Sequence, residues 1–257
     1  MLIDFDWITI PAGVARVGST LHDIDRAVEQ WTGQLLEERY REQFRNWLLK
    51  ETPQHLVPLE AFAISDTLIT NRQYLQFVEE TGAERPESLQ REQAYEELDH
   101  PVWGCSFAGA LRFCNWLGER LGCAVTLPTE PQWERAARGD TAREYPWGDE
   151  WSPDRCNTFE SGIGNTTPVR KYEAGRSLFG LYDMGGNVEE WVNSRYSVYA
   201  GGTVIRDDLY EALGPEYVVL KGGSFARSGD LCRVARRHGP FPDPVFRYTG
   251  FRVVRAV

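Results

Sequence analysis

Gly180-Leu181-Tyr182-Asp183-Met184-Gly185-Gly186-Asn187-Val188-Glu189-Glu190-Trp191 is the stretch that decides how the second half of the chain is read. It sets two carboxylates, Asp183 and Glu190, on either side of a glycine-containing turn. That spacing offers hard oxygen donors at both ends and main-chain carbonyls between them, which suits calcium and not zinc, although a solvated turn satisfies the same spacing. Around this stretch the texture is the same. From Gly139 onward the chain is dense in Gly, Pro, Asn and Trp, and only short runs such as Tyr217 to Leu220 and Phe251 to Val254 read as extended. Long ordered loops of this kind are usually functional or metal-supported.

Upstream of Gly139 the signals are helical. Thr129 with Gln132, and Thr70 with Gln73, have the capping-box spacing, in which each side chain satisfies a free backbone amide of the other's turn. They open helices that end at Gly139 and Gly82, and Ser106 opens a third that ends near Gly122. Before these, a mostly apolar run within Leu56 to Ile64 predicts one strand. Ile24, Val28, Trp31, Leu35, Tyr40, Phe44, Trp47 and Leu48 recur at helical spacing, with Gly33 as a break, and are expected to face a core. The first segment, Trp7 to Val17, predicts a hairpin turning at Pro11-Ala12-Gly13. There is no internal repeat, low-complexity tract or flexible linker, so residues 1–257 read as one domain with a helical elaboration at about 20–50.

Composition excludes several classes. The 257 residues carry 38 acids and 28 bases, a net charge of −10, which disfavours a nucleic-acid partner. No apolar run approaches a membrane span, and acidic residues stand where a signal peptide would carry bases, so a cytoplasmic protein without membrane contact is expected. Five widely spaced cysteines, without a CxxC pair, fit a reducing compartment. The charge is uneven: Lys221 to Val257 holds eight basic residues against two acids. Either these arginines bridge to acids of the body, or they line a concave site for an acidic or peptide-carbonyl ligand. Neither a Ser-His-Asp set nor a glycine-rich phosphate loop is present.

The ordered set Ile64 to Phe77, His100-Pro101-Val102, Leu127 to Gly139, Tyr145-Pro146-Trp147-Gly148, Gly180 to Trp191, Gly222-Gly223-Ser224-Phe225 and Gly250-Phe251-Arg252 resembles the formylglycine-generating enzyme (sulfatase-modifying factor) domain family from about residue 7 to the end. The resemblance implies an α+β fold, the variant C-type lectin fold with little regular secondary structure. It implies a structural calcium held by Asp183, Gly186, Val188 and Glu190, and a second that would start at Asn157 and Thr158, where the acidic ligand of the family becomes Ser161 or is lost. Copper-dependent members carry two thiols, three and eight residues after the Ser of the GGS motif; here those positions are Arg227 and Cys232. One thiol is replaced by a cation, so neither copper nor haem is expected. The four scattered histidines (His22, His55, His100, His238) likewise do not match the three-histidine iron of the sulfoxide-synthase branch. Cys232 then reads as a small core residue, or as a reactive thiol activated by Arg227 or Arg233.

Two functions remain. One is a binding module for a protein, peptide or small molecule, using Arg227, Ser228, Asp230, Arg237, His238, Phe241, Phe246, Arg247 and Tyr248, a mix of aromatic and arginine side chains suited to recognition. It also resembles the variable proteins of diversity-generating retroelements, which vary surface residues just before a C-terminal Gly-Phe-Arg strand. The other is an oxidoreductase acting on a peptide cysteine or small molecule through Cys232. The missing ligand favours the binding module.

Overall fold

The computed structural model describes residues 5–241 and 247–257. Strands β1 (Trp7–Ile10) and β2 (Gly13–Val17) do not form the predicted hairpin with each other. They pair instead with β4 (Phe62–Ser65) and β3 (His55–Leu59), antiparallel and in one unbroken register from Trp7↔Ser65 to Val17↔His55. The expected single strand within 56–64 is therefore two, and residues 11–12 and 60–61 are a bend in a long ribbon. Pro11, which has no N–H to give a ladder, marks that bend rather than a reversal. The helical elaboration is thus an insertion at the ribbon's open end.

That insertion consists of α1 (Leu21–Trp31) and α2 (Arg41–Leu49), joined by single 3₁₀ turns at Thr32–Gln34 and Glu38–Tyr40. The helix breaks at Gly33 as the spacing predicted. Thr20 and Asp23 form a capping box at its start. Next come α3 (Asn71–Thr81) and α4 (Phe107–Leu121), then, after the two-residue strand β5 (Val125–Thr126), α5 (Glu130–Arg138), with Thr70, Ser106 and Thr129 as their N-caps. Gly82 and Gly122 end α3 and α4 in the left-handed conformation that glycine adopts without steric cost.

The loop-rich half holds β6 (Glu189–Arg195), a short α6 (Asp208–Leu213) that the sequence did not announce, β7 (Val218–Lys221), β8 (Thr249–Gly250) and β9 (Val254–Ala256). The sheets run β1-β4-β9-β5 and β7-β6-β8, with the β2-β3 pair apart. One apolar cluster stacks Tyr74, Phe77, Phe113, Trp116 and Phe251 between α3 and α4, and a second joins Ile10, Ile64, Trp133 and Val254 across the first sheet. A third gathers Ile24, Trp31, Phe44 and Leu48 of the insertion over Tyr145, Cys156 and Cys232.

Apolar contact alone does not hold the insertion. Glu51, just past α2 and fully buried, accepts both terminal nitrogens of Arg233 at 3.0 Å and the Ser19 hydroxyl at 2.7 Å. Arg233 also bonds Glu144 through Nε. Two acids and one guanidinium lock the insertion to the C-terminal third; their attraction keeps Arg233 charged far above the ordinary arginine range. Breaking such a pair strands a buried charge and costs about 3–5 kcal/mol. Glu51→Ala is therefore expected to lower the unfolding free energy by about that much in urea titrations with little change in slope, and a loss below about 1 kcal/mol would show that the pair does not carry the docking.

Candidate functional site

The basic C-terminal segment divides once its partners are known. Lys221 pairs with Glu134 at 3.0 Å, Arg237 with Glu130 at 2.9 Å and Arg236 with Asp230 at 3.2 Å. Arg237 further donates to the carbonyls of Lys50 and Ser197 and lies over the rings of Tyr196 and Tyr199. Expected to touch ligand, Arg237 is instead a buried structural bridge. Arg247 and Tyr248 lie apart as well: Arg247 reaches Glu87, and Tyr248 packs on Trp103 and Phe225. Phe246 falls outside the described residues.

The other five predicted residues come together. Arg227, Ser228, Asp230, His238 and Phe241 line one cavity of about 390 Å³. Its opposite wall is the insertion, through Leu35, Leu36, Arg39, Tyr40, Gln43 and Trp47, and α6 adds Asp208 and Leu209. Sequence reasoning assigned Leu35, Tyr40 and Trp47 to a core and passed over the rest, because periodicity shows which face is apolar but not that the face borders a void. Within the cavity Asp230 accepts from Ser228 Oγ at 2.7 Å and from Arg236 Nε at 3.2 Å. His238 Nδ1 stands 2.7 Å from Glu189.

Cys232 is not alone. It closes the 3₁₀ turn Gly229–Cys232, a turn packed so tightly that a Cβ on Gly229 would sit 2.1 Å from the Trp151 ring. Its thiol neighbours that of Cys156 in the same buried cluster, 76 positions earlier in the chain, a neighbour that no spacing could announce. Both are buried under Trp31, Tyr145 and the helices of the insertion, and Trp31 Nε1 donates to the Tyr145 hydroxyl at 2.9 Å. Burial and the Cys156 thiol push Cys232 well above the usual thiol range. Activation by Arg227 or Arg233 is thereby corrected: Arg233 is taken up by Glu51 and Glu144, and the thiol shifts toward the neutral form.

The segment expected to hold calcium is organised by protein groups. Both oxygens of Glu190 accept from Arg252, at 2.6 and 3.1 Å, with both side chains fully buried. Asp183 accepts from the Arg170 amide and from Asn187 Nδ2, each at 3.3 Å, and burial pushes it up to about 6. Gly186 has φ 80°, and a Cβ there would lie 2.5 Å from the Asn157 carbonyl, so the Gly186–Val188 turn is wedged against residue 157. Asn157 Oδ1 accepts the Ser161 hydroxyl at 2.9 Å, while Thr158 Oγ1 is buried without a hydrogen-bond partner. The Arg252 guanidinium already neutralises Glu190, and Asn157 Oδ1 accepts one hydrogen bond, from Ser161. Among the described residues no cluster of three or more His, Cys, Asp or Glu side chains could hold a metal. No helix among them is long and apolar enough to cross a membrane.

Residues 6–257 match the sulfatase-modifying factor enzyme 1-like domain, and the chain belongs to that family. The formylglycine-generating enzyme of Streptomyces coelicolor is 32% identical over 262 residues, covering 79% of this chain and 80% of that one. Serine/threonine-protein kinase Pkn1 of Chlamydia trachomatis serovar L2 is 34% identical over 235 residues, covering 80% of this chain and 35% of the kinase. The chain therefore spans about a third of the length of that relative. In three dimensions, variable protein 1 of Treponema denticola aligns over 99% of this chain and 96% of its own with a TM-score of 0.71 at 21% identity. The expected α+β, formylglycine-generating-enzyme-like variant of the C-type lectin fold is what the structure has.

If Arg252 serves as the cation of the Glu190 site, EDTA should leave the melting temperature within about 1 °C, whereas Arg252→Met should lower it by several degrees. A melting temperature that falls on chelation and returns with calcium would reinstate the metal.

Proposed function

We propose that this chain is a binding module whose ligand, a small molecule or a short peptide segment, enters the cavity between the helical insertion and residues 227–241. The supporting observation is that cavity itself: at about 390 Å³ it has the size of a small-ligand site, and five residues selected for recognition on sequence grounds face it from one side. Its specificity is proposed to be fixed rather than diversified. Across the segment that a retroelement would vary, Arg233, Arg236, Arg237 and Arg252 are buried in ion pairs, so random substitution there would disrupt the scaffold.

One observation favours an oxidoreductase as the second reading. Two neighbouring buried thiols, Cys156 and Cys232, restore the pair of soft donors whose loss argued against copper, and such a pair suits a monovalent copper ion. Against it stand the raised Cys232 pKa and the insertion that covers both sulfurs.

A thermal-shift screen of metabolites separates the two. Hits should raise the melting temperature of the wild type and of Cys232→Ser alike, and should be lost in Gln43→Trp, which fills the cavity from the exposed face of α2. Stabilisation that survives Gln43→Trp but disappears in Cys232→Ser would reverse the assignment.

A further inference from the structure

The cavity also carries a statement about its ligand, resting on the binding reading above. We infer that the ligand is an organic anion with an apolar body, a carboxylate borne on an aryl or alkyl group. The argument starts at Arg236. Only 4% exposed, it lines the cavity and engages Asp230 through Nε alone. Its two terminal nitrogens make no hydrogen bond within the described residues, and they are not sealed off as buried orphans. A nearly buried guanidinium whose forked face opens on a cavity with no protein acceptor is placed to take one from a ligand. The fork matches the two oxygens of a carboxylate.

Trp47 also lines the cavity, with its Nε1 buried away from the void rather than open to it. The acids nearby do not answer the Arg236 terminal nitrogens: Asp230 meets Arg236 through Nε alone, and Asp208 sits exposed in the first turn of α6. Much of the remaining wall is apolar, formed by Leu35, Leu36, Leu209, Leu231 and Phe241, and its polar members include the bases Arg39 and Arg227. An inorganic anion would leave that apolar wall uncovered, and a neutral apolar molecule would leave the Arg236 fork without an acceptor. A carboxylate on a hydrocarbon body satisfies both.

The test is calorimetric titration of the full chain with 4-phenylbutyrate, indole-3-propionate and octanoate, each beside the alcohol and the amine of the same skeleton. At least one carboxylate should bind, about tenfold or more tightly than its alcohol, with the amine weaker still. Arg236→Lys keeps the positive charge and removes the fork; it should weaken the carboxylate several-fold and leave the alcohol nearly unchanged. Arg236→Gln should remove the preference for the carboxylate altogether, and Arg236→Lys keeps the question answerable if that variant does not fold. Alcohols binding as tightly as carboxylates, with Gln43→Trp abolishing both, would overturn the anion inference while leaving the cavity as a site. Binding by none of the probes, or binding indifferent to Gln43→Trp, would overturn both.

Discussion

Arg233 holds two regions distant in sequence against each other, and the architecture of the site follows from that bridge. Its guanidinium takes Glu51 from the end of the helical insertion, in a region closed to water, and the partly exposed Glu144 from the loop after α5. With the insertion fixed there, Ile24, Trp31, Phe44 and Leu48 cover Cys156 and Cys232, and Leu35, Tyr40 and Trp47 become a wall of the cavity. One charge pair thus shields the thiols and shapes the pocket.

The same device recurs wherever regular secondary structure is sparse. Arg252 on Glu190, Arg237 on Glu130 and Lys221 on Glu134 each tie a loop or strand end to a helix or sheet that is far away in sequence. Loops cannot satisfy their backbone groups in ladders, so buried arginines, which reach several carbonyls at once, do part of that work. Arg138 donates to the carbonyls of Arg16 and Gly18, and Arg252 to those of Ser65 and Tyr182. Most of the positive charge that suggested a ligand face on sequence grounds is spent on this internal work. Arg236 differs because only one of its three nitrogens is used.

Local chemistry was legible and distant pairing was not. The caps at Thr70, Ser106 and Thr129, and the break at Gly33, are decided by neighbours within one turn, and the structure has them where the sequence puts them. The ribbon at 7–17 and 55–65 was misread as a hairpin because a Pro-Ala-Gly bend inside a strand has the same composition as a reversal. Of the candidate site, Arg227, Ser228, Asp230, His238 and Phe241 were found from residue type. Arg237 was misassigned because nothing near it in the chain reveals Glu130. Cys156 and Leu209 had no signal at all, and Trp47 showed only as part of an apolar helix face, since their roles arise only when the insertion and α6 fold back onto the C-terminal segment.

The central claim, that the docked insertion seals the thiol pair and walls the cavity, is most directly tested by mass-spectrometric mapping of cysteine alkylation in Phe44→Ala beside the wild type. In the wild type the exposed Cys123 should react while Cys105, Cys114, Cys156 and Cys232 are protected. In the variant, which hollows the contact between α2 and the thiols, Cys156 and Cys232 should become labelled many-fold faster while Cys105 and Cys114, in the separate α3–α4 cluster, keep their protection. Equal, unchanged protection of all four would contradict the account.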